Sequence, residues 1–196
     1  PTDGLLGLIS NFKNSLNYNR GKQDFSTTYS YSLNKSKNTL SFGYIENNLE
    51  SNQINFIHKL NTNWLLEINS TLENKESISE NFDSKNYNLD QFKINPKMTY
   101  LFNESNRLNF YYQYSTNENT IGNLESLKQQ KIGISCSISN REKINFSSEF
   151  NYFSNSFEGN PNSIIGYIVM EGLQVGSNYT WSFTAQKKLT KFLIIF

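Results

Sequence analysis

The sequence predicts an all-β protein, an antiparallel meander forming a transmembrane β-barrel, with about 11–12 strands in view as part of a larger barrel. Three observations carry this expectation. Apolar and polar residues alternate with period two in segment after segment. The alternating segments run to about 8–12 residues, beyond the about 5–6 of soluble strands and near the about 9–11 of membrane-spanning ones. The polar connections between them alternate long and short, the arrangement of outer-membrane barrels with tight periplasmic turns and longer external loops.

Eleven strands follow, at about 8–18, 25–33, 39–48, 53–60, 63–74, 91–102, 107–116, 130–139, 143–153, 179–188 and 191–196. The first alternates weakly. In the third, Leu40, Phe42 and Tyr44 oppose Thr39, Ser41 and Gly43. In the fifth, Trp64, Leu66, Ile68 and Leu72 oppose Glu67, Asn69, Thr71 and Glu73. Phe92, Ile94, Met98, Tyr100 and Phe102 oppose Lys93, Asn95, Lys97 and Thr99, and Leu108, Phe110, Tyr112 and Tyr114 oppose Arg107, Asn109, Gln113 and Ser115. Ile132, Ile134, Cys136 and Ile138 alternate with small residues, and the pattern returns in 143–153 and in Tyr179, Trp181, Phe183 and Ala185. The expected tight turns are 34–38, 61–62, 103–106, 140–142 and Thr190; the long loops are 19–24, 46–52, 75–90, 117–129 and 154–178. The apolar run 164–170 would break this order as a spanning strand. Residues 163–176 are therefore expected inside one external excursion, folded back as a short strand or a plug. An odd strand count leaves no antiparallel closing pair, so the 196 residues are expected to form one barrel domain that is a fragment or C-terminal part of a larger protein.

Composition bounds the function. A net charge of +1 argues against a nucleic-acid binder, which needs a basic face. One cysteine excludes a disulfide framework, and the single histidine, His58, makes a catalytic triad improbable. Ala185 is the only alanine among about thirty asparagines, which argues against a helical protein. Pro1 to Ile9 lack the basic and apolar regions of a secretory signal, and no apolar run is long enough for a membrane helix. A mean hydropathy of −0.61 does not argue against strands that cross a membrane with one polar face.

The stretch Gly172-Leu173-Gln174-Val175-Gly176-Ser177-Asn178-Tyr179-Thr180-Trp181, followed by Gln186-Lys187-Lys188-Leu189-Thr190-Lys191-Phe192-Leu193, resembles the C-terminal barrel region of large outer-membrane proteins of Bacteroidota, of the Flavobacteria type. Asn119 to Glu125 and Glu149 to Phe153 fit the same style. A further strand with a Gly-Arg-Lys motif and a final aromatic strand, usual there, are absent here. The resemblance implies an outer-membrane location and association with envelope machines such as type-nine secretion or TonB-dependent uptake systems. It transfers no catalytic residues.

Glu67, Lys93, Lys97, Arg107, Lys131 and Glu149 fall on the polar faces and are candidates to line a lumen. Tyr44, Trp64, Tyr100, Tyr114, Tyr152, Tyr179 and Trp181 are candidates for interfacial aromatic girdles. His58 and Cys136 sit on apolar faces without the neighbours that a nucleophile or a ligand set requires. The acidic residues of the 75–90 loop lack calcium-loop spacing. No catalytic, cofactor or metal site is expected. The expected function is a non-enzymatic transport or scaffold component of an envelope complex in the bacterial outer membrane. Its partners would be outer-membrane lipid and other outer-membrane or lipoprotein subunits, with no nucleic acid. The alternatives are a soluble secreted β-sandwich or adhesin-like binding module, and a barrel enzyme that uses His58.

Overall fold

A computed structural model describes residues 6–20, 24–40, 43–122, 124–139, 144–170, 173–190 and 193–195. They form one antiparallel sheet of ten strands in sequence order: β1 (Gly7–Tyr18), β2 (Phe25–Leu40), β3 (Gly43–Lys59), β4 (Trp64–Ser79), β5 (Tyr87–Asn103), β6 (Asn106–Asn119), β7 (Ser126–Ser139), β8 (Ile144–Glu158), β9 (Gly176–Thr190) and the short β10 (Leu193–Ile195). One α-helix, α1 (Ile164–Met170), interrupts the meander between β8 and β9, and a single 3-10 turn (Asp83–Lys85) lies between β4 and β5. The all-β antiparallel meander is as expected. The sheet is open among the described residues: no ladder joins β1 to β10.

Strand number and length differ from the sequence reading. The expected strands 25–33, 39–48 and 53–60 are two long strands, β2 of 16 residues and β3 of 17. On β2, Asn34 to Asn38 pair continuously with Leu49 down to Ile45 on β3, so neither the turn at 34–38 nor the loop at 46–52 exists. The chain instead reverses between Leu40 and Gly43, which pair with each other, and Gly43 takes a φ of 107° that other residues avoid. Residues 41 and 42, including Phe42, lie outside the described set, as do the expected turn at 140–142 and residues 191, 192 and 196 of the last expected strand. Elsewhere the strands lie where alternation put them: β4 to β9 run three to five residues further at one end, β1 is longer by one residue, and β10 falls inside the expected 191–196.

The two rims of the sheet are unlike. One rim carries the reversals at 60–63 and 104–105; the other carries 80–86, 120–125 and the 159–175 excursion. Alternation of short and long connections therefore holds from residue 60 onward. It fails before that, because 19–24 lies on the short-loop rim and the tight reversal after Leu40 lies on the long-loop rim. With ten strands, β1 and β10 run in opposite directions. An antiparallel closing pair is thus allowed in orientation, contrary to the odd count expected from sequence.

Asparagine builds the short rim. Asn61 Oδ1 accepts the backbone N–H groups of Asn63 and Trp64, each at 2.9 Å, and Asn103 Oδ1 accepts those of Ser105 and Asn106, again at 2.9 Å. Each side chain mimics a turn of backbone and satisfies two donors at once.

The register sorts side chains into two faces. Across β4–β5–β6, Leu66 meets Met98 and Met98 meets Phe110; across β7–β8–β9, Ile134 meets Phe150 and Phe150 meets Trp181. This face is apolar from β1 to β9 and open to its surroundings: Ile132 is 58% exposed and Trp181 73%. The opposite face is polar and more buried, with Thr99 at 4% and Asn151 at 7%. Only a small apolar core exists among the described residues, where α1 packs on the polar face through Ile165 and Val169 against Leu89 of β5 and Leu127 of β7. Of the expected excursion at 163–176, Ile164–Met170 fold back onto the sheet as a helix rather than a strand, and Gly176 already begins β9. Ser163 Oγ caps that helix, accepting Gly166 N–H at 2.8 Å.

The β2–β3 register separates the two readings of 34–52. Adjacent cross-strand pairs alternate between hydrogen-bonded and open types. In a Cys136→Ser background, one of the pairs Lys35→Cys/Asn48→Cys and Ser36→Cys/Asn47→Cys is expected to form a disulfide on mild oxidation. Failure of both, read by the migration of reduced and oxidised protein, would return these residues to a turn and a loop.

Candidate functional site

The polar face is the part of the molecule where side chains converge. Its centre is a hydrogen-bonded girder that crosses the strands. Thr99 Oγ1 donates to Asn109 Oδ1 at 2.8 Å, and Asn109 Nδ2 donates to Ser135 Oγ at 2.9 Å, linking β5, β6 and β7. Between β4 and β5, Lys97 Nζ donates to Glu67 Oε2 at 2.6 Å. The two residues are direct cross-strand partners, so the register itself brings the charges together.

Tyr111 makes the longest reach. Its hydroxyl donates to Glu149 Oε1 at 2.6 Å and also contacts Asn151 Oδ1, both on β8, two strands away. The ring passes over β7 at Gly133, its cross-strand partner. A Cβ at Gly133 would collide with the Tyr111 ring and with Asn151 Oδ1. Glycine in this strand interior is therefore explained by close packing of a neighbouring ring. Asn151 Nδ2 continues the network to Glu149 Oε1 at 2.9 Å and to Thr180 Oγ1 of β9 at 3.2 Å. Lys131 Nζ stands 5.2 Å from the Tyr111 ring centroid and 5.0 Å from that of Phe153.

All six charged candidates lie on this face, in two groups and two singles. Glu67 and Lys97 form an ion pair; Glu149 and Lys131 both attend Tyr111. Lys93 borders a cavity of about 390 Å³ toward the long-loop rim, walled by Gln53, Gln91, Gln113 and Gln129 and bounded at one end by Val169 of α1. Arg107 stands exposed near the short-loop rim, beside Leu101 and Ser137.

The aromatic candidates divide between the borders of the apolar face. Trp64 and Tyr100 are paired with ring centroids 4.8 Å apart, beside the short turns. Tyr152 and Tyr179 pair at 5.2 Å at the opposite border, and Tyr114 packs on Phe92 there. Trp181 lies between, its Nε1 donating to Ser148 Oγ at 3.0 Å. Tyr44 stands apart from both groups. It lies about ten residues, roughly 33 Å of strand, beyond Ile54 on β3, and Lys37 Nζ sits 3.8 Å over its ring.

His58 is held by structure: Nδ1 lies 2.8 Å from the Asp24 carbonyl oxygen, so that nitrogen carries the proton, and the ring packs near Phe25 and Phe56. Cys136 is a free, half-buried thiol between Leu108 and Ser148. Among the described residues, no group of three or more His, Cys, Asp or Glu side chains is arranged to hold a metal ion. No family model matches the chain, and no curated protein matches it.

Sequence reasoning missed Tyr111 and Gly133 as a pair. The available signal was parity: Tyr111 occupies a polar-face position of β6, and Gly133 interrupts the run from Ile132 to Ser139, otherwise made of Ile, Ser and Cys. It also missed Glu125, 1% exposed, which accepts Asn119 Nδ2 at 2.8 Å and faces Ser163 Oγ at 3.5 Å beside the helix cap. Nothing local links that carboxylate to the helix cap, because Ser163 follows it in the chain only after β7 and β8.

Gly133→Ala is expected to destabilise the sheet by about 1–3 kcal/mol, the range for overpacking a filled site. The same change in a Tyr111→Leu background should cost much less. Equal costs in both backgrounds, measured by chemical unfolding, would show that the ring and the glycine are not coupled.

Proposed function

We propose that this chain is wall from a transmembrane β-barrel of a bacterial outer membrane, with its apolar face toward lipid and its polar face toward a lumen. The reading makes it a non-enzymatic transport or scaffold component of an envelope complex, of the type-nine secretion or TonB-dependent uptake type implied by the sequence resemblance. Its partners are outer-membrane lipid and other outer-membrane or lipoprotein subunits.

One observation carries the reading: burial is inverted. In a protein folded in water the apolar face of a sheet is covered and the polar face is wet. Here isoleucine, phenylalanine and tryptophan stand open across the strands while threonine, asparagine and glutamine are enclosed on the other side. Contiguous exposed apolar area on this scale needs a partner, and hydrocarbon is one that accepts a whole face.

Further features are consistent with that environment. On β5 the apolar positions from Phe92 to Tyr100 span about 26 Å at strand rise, near the about 25 Å apolar band of such barrels. Paired aromatics stand at both borders. The short turns begin at one border, whereas β2, β3, β4 and β5 continue past the other into polar sequence such as Asn34 to Asn38 and Glu73 to Ser77. Strands of 16–17 residues are then one spanning segment plus a rigid extension.

Substitution on the open face tests this directly. Ile134→Arg, in the row of Phe150 and Trp181 between the two aromatic borders, is expected to cost about 2–4 kcal/mol in lipid vesicles, as arginine does near the bilayer midplane. An isoleucine exposed to water would tolerate the change within about 0.5 kcal/mol. The second result, together with a detergent-free soluble protein, would favour a secreted β-protein with an exposed binding sheet.

A further inference from the structure

We infer that the amide-lined cavity on the polar face binds a neutral polyhydroxylated solute of disaccharide size, a sugar, at the foot of α1. The inference rests on the lumen reading of that face. Four of the chain's eight glutamines (the others being Gln23, Gln130, Gln174 and Gln186) come from four different strands, β3, β5, β6 and β7, to line this one space. An asparagine-rich composition does not explain the convergence of glutamine. The register does the gathering: Gln53, Thr71, Lys93, Ser115 and Gln129 form one row across five strands, and Gln91 lies in the adjoining row with Glu73 and Asn117.

The lining specifies the chemistry of the occupant. Gln53, Asn69 and Gln91 make no side-chain hydrogen bond to another described residue, and the Gln113–Gln129 contact is long at 3.4 Å. Their amides both donate and accept, which suits hydroxyl groups, themselves donors and acceptors. Glu73 and Lys93 are the charges on the lining, one of each sign, so the space selects neither anions nor cations. Leu127, 6% exposed and backed by the fully buried Val169, closes one end of the space with an apolar edge, where the C–H side of a pyranose ring can sit while its hydroxyls meet the amides. The volume of about 390 Å³ lies within the range of small-ligand sites. Asn117 Nδ2, donating to Val169 O at 3.1 Å, fixes the apolar wall to the polar one.

Saturation-transfer NMR on the full chain in detergent micelles, with maltose, trialanine and citrate as separate probes, tests the inference. Maltose is expected to show transfer, with at least a tenfold loss of apparent affinity in Gln91→Leu/Gln129→Leu. Gln130→Leu, on the opposite face, should leave it unchanged. Native migration of each variant on an unheated gel confirms that it folds. No maltose signal, a stronger signal from trialanine or citrate, or binding that survives the double substitution overturns the proposal. A chain that inserts into vesicles without binding maltose overturns this inference alone. A chain that binds maltose but stays soluble without detergent overturns the lumen reading and leaves the site.

Discussion

The continuous antiparallel ladder is the constraint on which everything else in this molecule depends. From β1 to β9, each strand pairs over most of its length with its sequence neighbours. Backbone donors and acceptors in the interior of the sheet are thereby satisfied without a compact core around them. That frees the side chains from supplying the cohesion a soluble domain draws from its interior. The buried apolar cluster is a handful of residues beneath one short helix, far too small to hold a sheet of this breadth by itself.

Once the ladder fixes register, parity distributes chemistry. A residue's face is decided by whether its position is odd or even within its strand, and cross-strand pairing then aligns like with like. Glu67 meets Lys97, Thr99 meets Asn109, and Ile134 meets Phe150 through the same rule. The polar network and the open apolar face are two products of one alternation. A one-residue slip between β6 and β7 would exchange them locally and drive Tyr111 away from Gly133.

Particular segments show what could be read from sequence. The strands after residue 60 were legible because one face is apolar and the other is not, and because Asn61 and Asn103 punctuate the turns. The segments 34–38 and 46–52 were not, since they carry polar residues on both faces and lose the contrast on which period two depends, while at 39–45 the alternation of Leu40, Phe42 and Tyr44 runs straight through the reversal between Leu40 and Gly43. Asn, Lys and Ser there look like loop residues; only pairing with the facing strand keeps them extended. The 164–170 run was ambiguous for the opposite reason, apolar throughout and too short to reveal a period. Ser163, three residues before Gly166, was the available helix signal. Of the polar face, the membership of Glu67, Lys93, Lys97, Arg107, Lys131 and Glu149 followed from parity, but their partners did not, because partners require a register.

The strictly sequential strand order also has a kinetic meaning. Most hairpins close over a few residues, so each new strand adds to an existing edge with little loop entropy to overcome. Assembly can then proceed as a zipper with local contacts, unusual for a sheet this wide. The exception is the junction of β8 and β9, where 17 residues from 159 to 175 must be spanned. That is the connection that carries α1, whose packing on β5 and β7 shortens the effective loop. In these terms the helix is a folding clamp as well as the wall of a cavity, holding the last long strand near the edge it must find.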